Sequence, residues 1–396
     1  MLPIDSEDLL FRIKGGIQLE GVINKTDEEG IKAAFQEAIN ELISKKVINM
    51  KVHFELATLD HVENVIIQHN KMSRIHFKLT LPIDVVLFVD PADPWGKIQD
   101  QFVDAIITQL SAMDKCIQRY TNGKTVPMPQ AFHFELPEKT TLTTVIYPAG
   151  ISDETLEPQR KELHALLGLD NKPFFRRSMA FCFPSDEMKA KYLRNVHKYI
   201  PTLNPDEFQI FGVHGSYIFH HCMQDNENDA EWGALYRCFQ VIISWFNCQG
   251  YINKPTPTLT EMQDILTKFD EGFVNVVEGK DWIPLEQMVA ILNAFSISTT
   301  TKDIRPEVDE PIDLSIHFKE QATPVAFTAE STACVVLGIA VNEEANIRKI
   351  LVLDTGYTGN DDLATITEKA VDWKDEEFLM GLEAYGICLP QRPEGV

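Results

Sequence analysis

Basic side chains are scarce in this chain. Lys and Arg number 36 against 59 Asp and Glu among 396 residues, for a net charge near -23. Nucleic acid and anionic membrane surfaces are bound through Lys/Arg patches, so this balance argues against both and suits a basic protein partner. Long apolar runs are missing too. No stretch approaches the roughly 18 apolar residues a membrane helix needs, so no direct membrane insertion is expected. The opening MLPIDSEDLLFRIKGG carries early acids and no apolar core behind a basic patch, which is not the pattern of a signal peptide. Seven cysteines, at 116, 182, 222, 238, 248, 334 and 388, form an odd, scattered set with no C-x-x-C pair. A zinc site, a disulfide framework or any other cofactor is therefore not expected, and the chain reads as cytosolic with reduced thiols. Internal repeats and low-complexity tracts are absent.

What is there suffices for two domains. A hydrophobic content of 44% over 396 residues can fill two cores. Residues 26–45 start with a Thr cap and acids and then repeat apolar residues at helical spacing. Residues 97–120 give a second helix, with DPADPWG (90–96) as a turn-rich loop before it. VHFELATL, IHFKLTLPIDVVLFVD and TTLTTVIYP read as strands. The histidines at 53, 61, 69, 76, 133, 164 and 197 show no catalytic grouping and read as structural. Prolines in IPTLNPDEF (200–208) set a boundary, giving a mixed α/β domain over 1–200 and a second domain over 201–396.

The second domain opens with DAEWGALYRCFQVIISWF (229–246), a Trp-Gly turn feeding a wholly apolar helix that ends at Gly250. Helices at 258–269 and 285–295 follow, and then VVLGIAVN and RKILVLD as buried strands. A central helix against later strands makes the class α+β. Three places could carry chemistry. A cysteine at the helix start would be a reactive thiolate, stabilised by free amides and the helix dipole, but residue 234 is alanine. Strand RKILVLD ends in Asp354 and a glycine-containing turn, a good place to orient a histidine, yet no histidine follows His317. The loop HGSYIFHHCMQDN (214–226) offers three histidines, a tyrosine and a thiol. His220 and His221 are adjacent, so in extended backbone they point to opposite faces and do not act together.

GSYIFHHCMQDN, EWGALYR, ISWFNCQGY, TPVAF, LGIAVNE, ILVLDTGYTG and CLPQRP together resemble the larger, two-domain type of protease specific for the ubiquitin-fold modifier Ufm. The resemblance covers about half the chain, from roughly Asn195 onward, and the N-terminal half matches only in size and character. It implies a papain-like cysteine protease fold over 201–396. It also implies Ufm or its conjugates as partner, and an N-terminal domain that docks a membrane-bound partner at the endoplasmic reticulum surface. The family pattern W-G-C-A-Y-R puts the nucleophile at Ala234. D-P-H-Y-T-G puts the retained acid at Asp354 and the base at Gly356. H-H-Y-M-Q-D puts the oxyanion tyrosine at Cys222. TAESTACVVLG stands where the family has a glycine-rich stretch. The retained frame of Gln224, Trp232, Gly233 and Tyr357 is the expected binding surface.

Nucleophile, base and oxyanion donor are thus all replaced. Losing nucleophile or base alone costs on the order of 10^6 in turnover in a comparable triad, and an oxyanion donor adds roughly 10^2–10^3. The chain is expected to be a pseudoprotease that binds without cutting. The alternative is an active thiol protease that processes Ufm precursor and conjugates with a relocated thiol, Cys222 beside His220 or His221, or Cys238 one turn along the helix. Cys334, on an apolar strand, reads as core.

Overall fold

Alternation in IHFKLTLPIDVVLFV produces one long strand. In the computed structural model, β1 (Leu9–Ile23), α1 (Glu28–Ser44), β2 (Ile75–Val89), α2 (Trp95–Tyr120), β3 (Pro129–Phe134) and β4 (Thr143–Pro148) form the N-terminal unit. The structure describes residues 9–44, 75–136, 139–170, 172–183, 191–270, 272–279, 281–309, 312–330, 332–376 and 382–396. VHFELATL (52–59) and the histidines at 53, 61 and 69 lie outside them. β1 and β2 pair antiparallel over their whole length, from Leu9 opposite Val89 to Ile23 opposite Ile75. The pleat sends Phe77, Leu79, Leu81, Ile83 and Val85 to one face. There they meet Ile31, Phe35 and Ile39 of α1 and Phe102, Ile106, Leu110, Met113 and Ile117 of α2. The cap of α1 differs from expectation. Asp27 rather than Thr26 takes the first-turn amide, accepting from Gly30 N at 2.8 Å. α2 begins two residues early, at Trp95, because Pro94 is well suited to a helix entry.

The C-terminal compact unit spans Glu157–Val396. Polar side chains of Arg160 and Arg176 reach across it. Arg160 Nε donates to Val396 O at 2.8 Å, and Arg176 donates to Gln249 O and Gly250 O at 2.6 and 2.9 Å. Its elements are α3 (Glu157–Leu167), β5 (Gln209–Gly212), α4 (Ala234–Cys248), α5 (Leu259–Phe269), α6 (Phe273–Gly279), α7 (Leu285–Ala294), β6 (Ser298–Ile304), α8 (Leu314–Glu320), β7 (Val325–Ala329), β8 (Thr332–Asn342), β9 (Ile347–Leu353), α9 (Leu363–Lys369), β10 (Val371–Asp375) and β11 (Tyr385–Gln391). The strands form one antiparallel sheet in the order β10-β9-β8-β7-β11-β6, with β5 added against β8.

α4 is covered on every side, its apolar residues packed in the core and its Arg237, Gln240 and Ser244 hydrogen-bonded within it. Every residue from Leu235 to Phe246 is buried. β8 reads as a continuous apolar run for the same reason. Val335 and Leu337 face the α4 core, while Val336 and Ile339 join a second cluster with Leu314 and Phe318 of α8. β5 approaches β8 so closely that a Cβ at Gly338 would lie 2.8 Å from Phe211 O. The α4 C-terminus closes with Gly250 at φ 70°, Tyr251 N donating to Phe246 O and Gly250 N to Asn247 O, both at 2.9 Å. Thr258 and Glu261 form the capping box of α5. Among the described residues no helix is long and apolar enough to cross a membrane.

Four histidines of this unit are folded into its interior uncharged. Burial pushes His197, His214, His220 and His317 down to about 4 from the ordinary 6.5. Between those values the unfolded chain binds protons that the folded chain refuses, so stability is fully present above 6.5 and falls as pH drops toward 4. Asp303, raised to about 6 by its hydrogen bond with Glu286, and Glu376, raised by burial, act in the opposite direction, two groups against four. The urea midpoint is expected to fall between pH 7 and pH 5, before the ion-paired carboxylates begin to protonate. A midpoint that stays level over that interval contradicts the burial of neutral rings.

Candidate active site

One carboxylate organises the start of α4. Asp229 is fully buried and accepts from Arg237 Nε at 2.7 Å and from Met223 N at 2.6 Å. Its backbone oxygen accepts from Gly233 N at 2.7 Å. Gly233 is required there, because a Cβ would lie 2.6 Å from the Asp229 Cβ. Arg237 spends its remaining donors on Gln224 O and Gln240 Oε1, and Gln240 reaches Pro257 O. The loop before the helix therefore cannot move without breaking a buried ion pair. That loop bends sharply, with Met223, Asp225 and Asn226 all at φ 62–63°.

β9 ends at Leu353 and delivers Asp354 and Gly356 beside the first residue of α4. A Cβ at Gly356 would lie 3.2 Å from Asp354 Oδ1 and 3.8 Å from the Ala234 Cβ. The structure thus brings together the three positions that the resemblance assigns to nucleophile, acid and base. Two of them carry no functional group. Asp354 is exposed and turns back on its own loop, accepting from Gly356 N at 2.9 Å. Between them Thr355 is fully buried. Its hydroxyl donates to Ala234 O at 2.9 Å and lies 3.0 Å from Cys238 Sγ, tying the strand end to the helix start.

Two thiols near this point, Cys222 and Cys238, are sealed, and a third, Cys334, is half-buried. Cys222 has no solvent exposure, its amide donates to Thr355 O at 2.9 Å, and burial raises its thiol to about 12, with Asp229 adding to the rise. Cys238, inside α4, is raised well above its ordinary value by burial, and Cys334 is raised to about 12 for the same reason. A thiolate nucleophile needs the opposite environment. Of the seven cysteines only Cys182 is exposed, and it lies beyond the expected site residues in the 181–183 segment.

The two adjacent histidines go separate ways. His220 Nδ1 pairs with Gln224 Oε1 at 3.2 Å. His221 Nδ1 faces Cys222 O at 2.7 Å and Tyr357 O at 3.1 Å, while its Nε2 lies 2.7 Å from Asp361 Oδ1. Both nitrogens of His221 face oxygen atoms of the surrounding loops, and neither is paired with a thiol. Gln224 Nε2 donates to the same Asp361 oxygen at 3.0 Å. The Asp361 pairing was missed by sequence reasoning; the only signal was an acid pair in TGNDD after a strand end. Of the expected binding residues, Gln224, Trp232 and Gly233 are buried, and Tyr357 sits half-buried at the rim. Trp232 meets Tyr236 edge-on with ring centres 5.4 Å apart. Among the described residues no three His, Cys, Asp or Glu side chains come together as a metal site.

Comparison with known proteins decides the family. Residues 18–188 match the family described as "Ubiquitin-fold modifier 1 specific protease 2, N-terminal", and residues 209–388 match "Peptidase family C78". The chain is 37% identical to the Ufm1-specific protease 2 of Gallus gallus, over 88% of this chain and 77% of that one. It is 37% identical to the protein of the same name from Homo sapiens, over 92% and 80%. The chain belongs to the Ufm1-specific protease family. The similarity reaches through the N-terminal half, further than the motifs from Asn195 onward implied. The crystal structure of UfSP from C. elegans superposes with a TM-score of 0.68 at 23% identity, covering 98% of this chain and 77% of that one. The C-terminal part of this Ufm1-specific protease homologue has the papain-like fold, with a mixed helix and strand domain before it.

The frame depends on Asp229 opposite Arg237, both nearly inaccessible to water. Asp229→Ala leaves a buried, unpaired guanidinium and is expected to cost about 3–5 kcal/mol in urea unfolding at neutral pH. Asp229→Leu combined with Arg237→Met should recover part of that loss. A single substitution costing no more than a surface change contradicts this role.

Proposed function

We propose that this chain is a catalytically inactive member of the family, a pseudoprotease that binds Ufm1 or its conjugates and does not cleave them. The observation that carries the reading is the placement of Gly356 beside Ala234 and Asp354, where a side chain at 356 would start 3.8 Å from the Ala234 Cβ and neither position carries a functional group. The buried thiols support it, since burial raises Cys222 and Cys238 away from the reactive range. Asp354 has no imidazole to orient, and Cys222 cannot serve as a phenol donor. The N-terminal domain acts as the docking module, and recruitment to the endoplasmic reticulum surface through a membrane-bound protein is the role we assign to it. The whole is then a scaffold in the Ufm1 pathway.

Kinship with proteins named as proteases favours the second reading, an active thiol protease. Ufm1 bearing a C-terminal thiol-reactive warhead separates the two. Intact mass after incubation is expected to show unmodified protein, while calorimetry with plain Ufm1 shows binding. An adduct on any of the seven cysteines establishes the second reading, and absence of heat removes the binding role.

Restoration tests the assignment of the site. Ala234→Cys alone, with no base to take its proton, should give no measurable cleavage of a Ufm1 precursor. With Gly356→His added, an imidazole starts beside both Asp354 and residue 234. The alkylation rate of that thiol at pH 6 should then rise by at least about tenfold, because the thiolate is stabilised. Equal rates for the single and double variants place the base elsewhere.

A further inference from the structure

The loop that joins β9 to α9 is tied down at both ends and at one point between. At its start the buried Thr355 hydroxyl donates to Ala234 O at 2.9 Å, and at its end Asp362 caps α9, accepting from Thr365 N at 2.9 Å. Between these anchors Gly356 and Tyr357 are half-buried and residues 358–361 are exposed. Of this stretch only Tyr357 packs against the α4 core. The middle tie is the buried ring of His221, with Nδ1 3.1 Å from Tyr357 O and Nε2 2.7 Å from Asp361 Oδ1. Gln224 Nε2 adds a bond to the same Asp361 oxygen at 3.0 Å. Cys222 is bracketed by the same contacts. Its amide donates to Thr355 O at 2.9 Å, and its carbonyl oxygen lies 2.7 Å from His221 Nδ1.

We propose that residues 356–361 are a strap over Cys222, latched by the His221–Asp361 contact, and that releasing the latch exposes the thiol while the rest of the domain stays folded. A segment with little apolar burial, held by polar contacts near solvent, opens at a lower free energy than the core it covers. α4 is the contrast. It is buried from Leu235 to Phe246, so Cys238 inside it is reached only when the domain unfolds. The strap also carries Gly356 and Tyr357, so the latch that shields the sulfur fixes one rim of the candidate site. The inference is independent of whether Ufm1 binds.

Iodoacetamide alkylation of the full chain at about pH 8, followed cysteine by cysteine through peptide masses, tests the strap. Alkylation needs the thiolate, so a sealed thiol reacts only through opening. In the native chain Cys222 is expected to react at least about tenfold faster than Cys238, at a rate that urea below the unfolding transition leaves level. Asp361→Ala removes the acceptor of the latch. It should raise the Cys222 rate by a further factor of about ten and leave Cys238 unchanged. Asp361→Asn keeps an acceptor oxygen and should return most of the native rate. Equal rates for Cys222 and Cys238 in the native chain, or a parallel rise of both in Asp361→Ala, mean that Cys222 is reached only by global unfolding and overturn the strap. A Cys222 rate that Asp361→Ala does not change overturns the latch. If that variant does not fold, the comparison of the two thiols in the native chain still decides.

Discussion

A single buried carboxylate sets the geometry of the C-terminal domain. Asp229 holds Arg237 from α4 and the Met223 amide from the preceding loop, and its own chain leaves no room for anything but glycine at 233. A charge taken out of water is tolerated only when its partner and remaining lone pairs are satisfied. The pair therefore fixes where the helix begins and which way its first residue looks. β9 then meets that first residue through the Thr355 hydroxyl, which reaches Ala234 O. Two independent tethers converge on one point, and the frame is kept whether or not chemistry happens inside it.

Inside the frame, packing surrounds the positions that the resemblance assigns to the chemistry. Thr355 and Cys238 meet in the space between helix and strand, and Cys222 lies beneath the Thr355 carbonyl. These contacts stabilise the fold and shield the sulfur atoms of Cys222 and Cys238 from solvent. His221 belongs to the same pattern. It joins the loop at 222 to the loop at 357–361 and has both nitrogens engaged in doing so.

The central elements were legible in the sequence because their signals are local or periodic. The apolar run of α4, the alternation of β2 and the Thr258–Glu261 cap each state a structure within a few residues. Asp354 as a turn-former was readable from its place at a strand end. Ion pairs between distant residues were not. The pairing of His221 with Asp361 spans 140 residues and leaves no periodic trace. The bonds of Arg160 and Arg176 to distant carbonyls are likewise invisible to a reading of local pattern. Asp27 displaced Thr26 as the α1 cap because either side chain can accept from a first-turn amide, and one residue of slip decides between them. The meeting of Ala234 and Gly356 came into view only with the family motifs, since alanine and glycine carry no chemical signature of their own.

The central claim is that engagement and cleavage have been separated. A single-turnover experiment with the protein in excess over Ufm1 bearing a C-terminal fluorophore measures both at once. The account predicts that anisotropy rises as the complex forms and that the fluorophore stays attached throughout. Release of free fluorophore on the timescale of binding, lost when any one native cysteine is replaced, would contradict it.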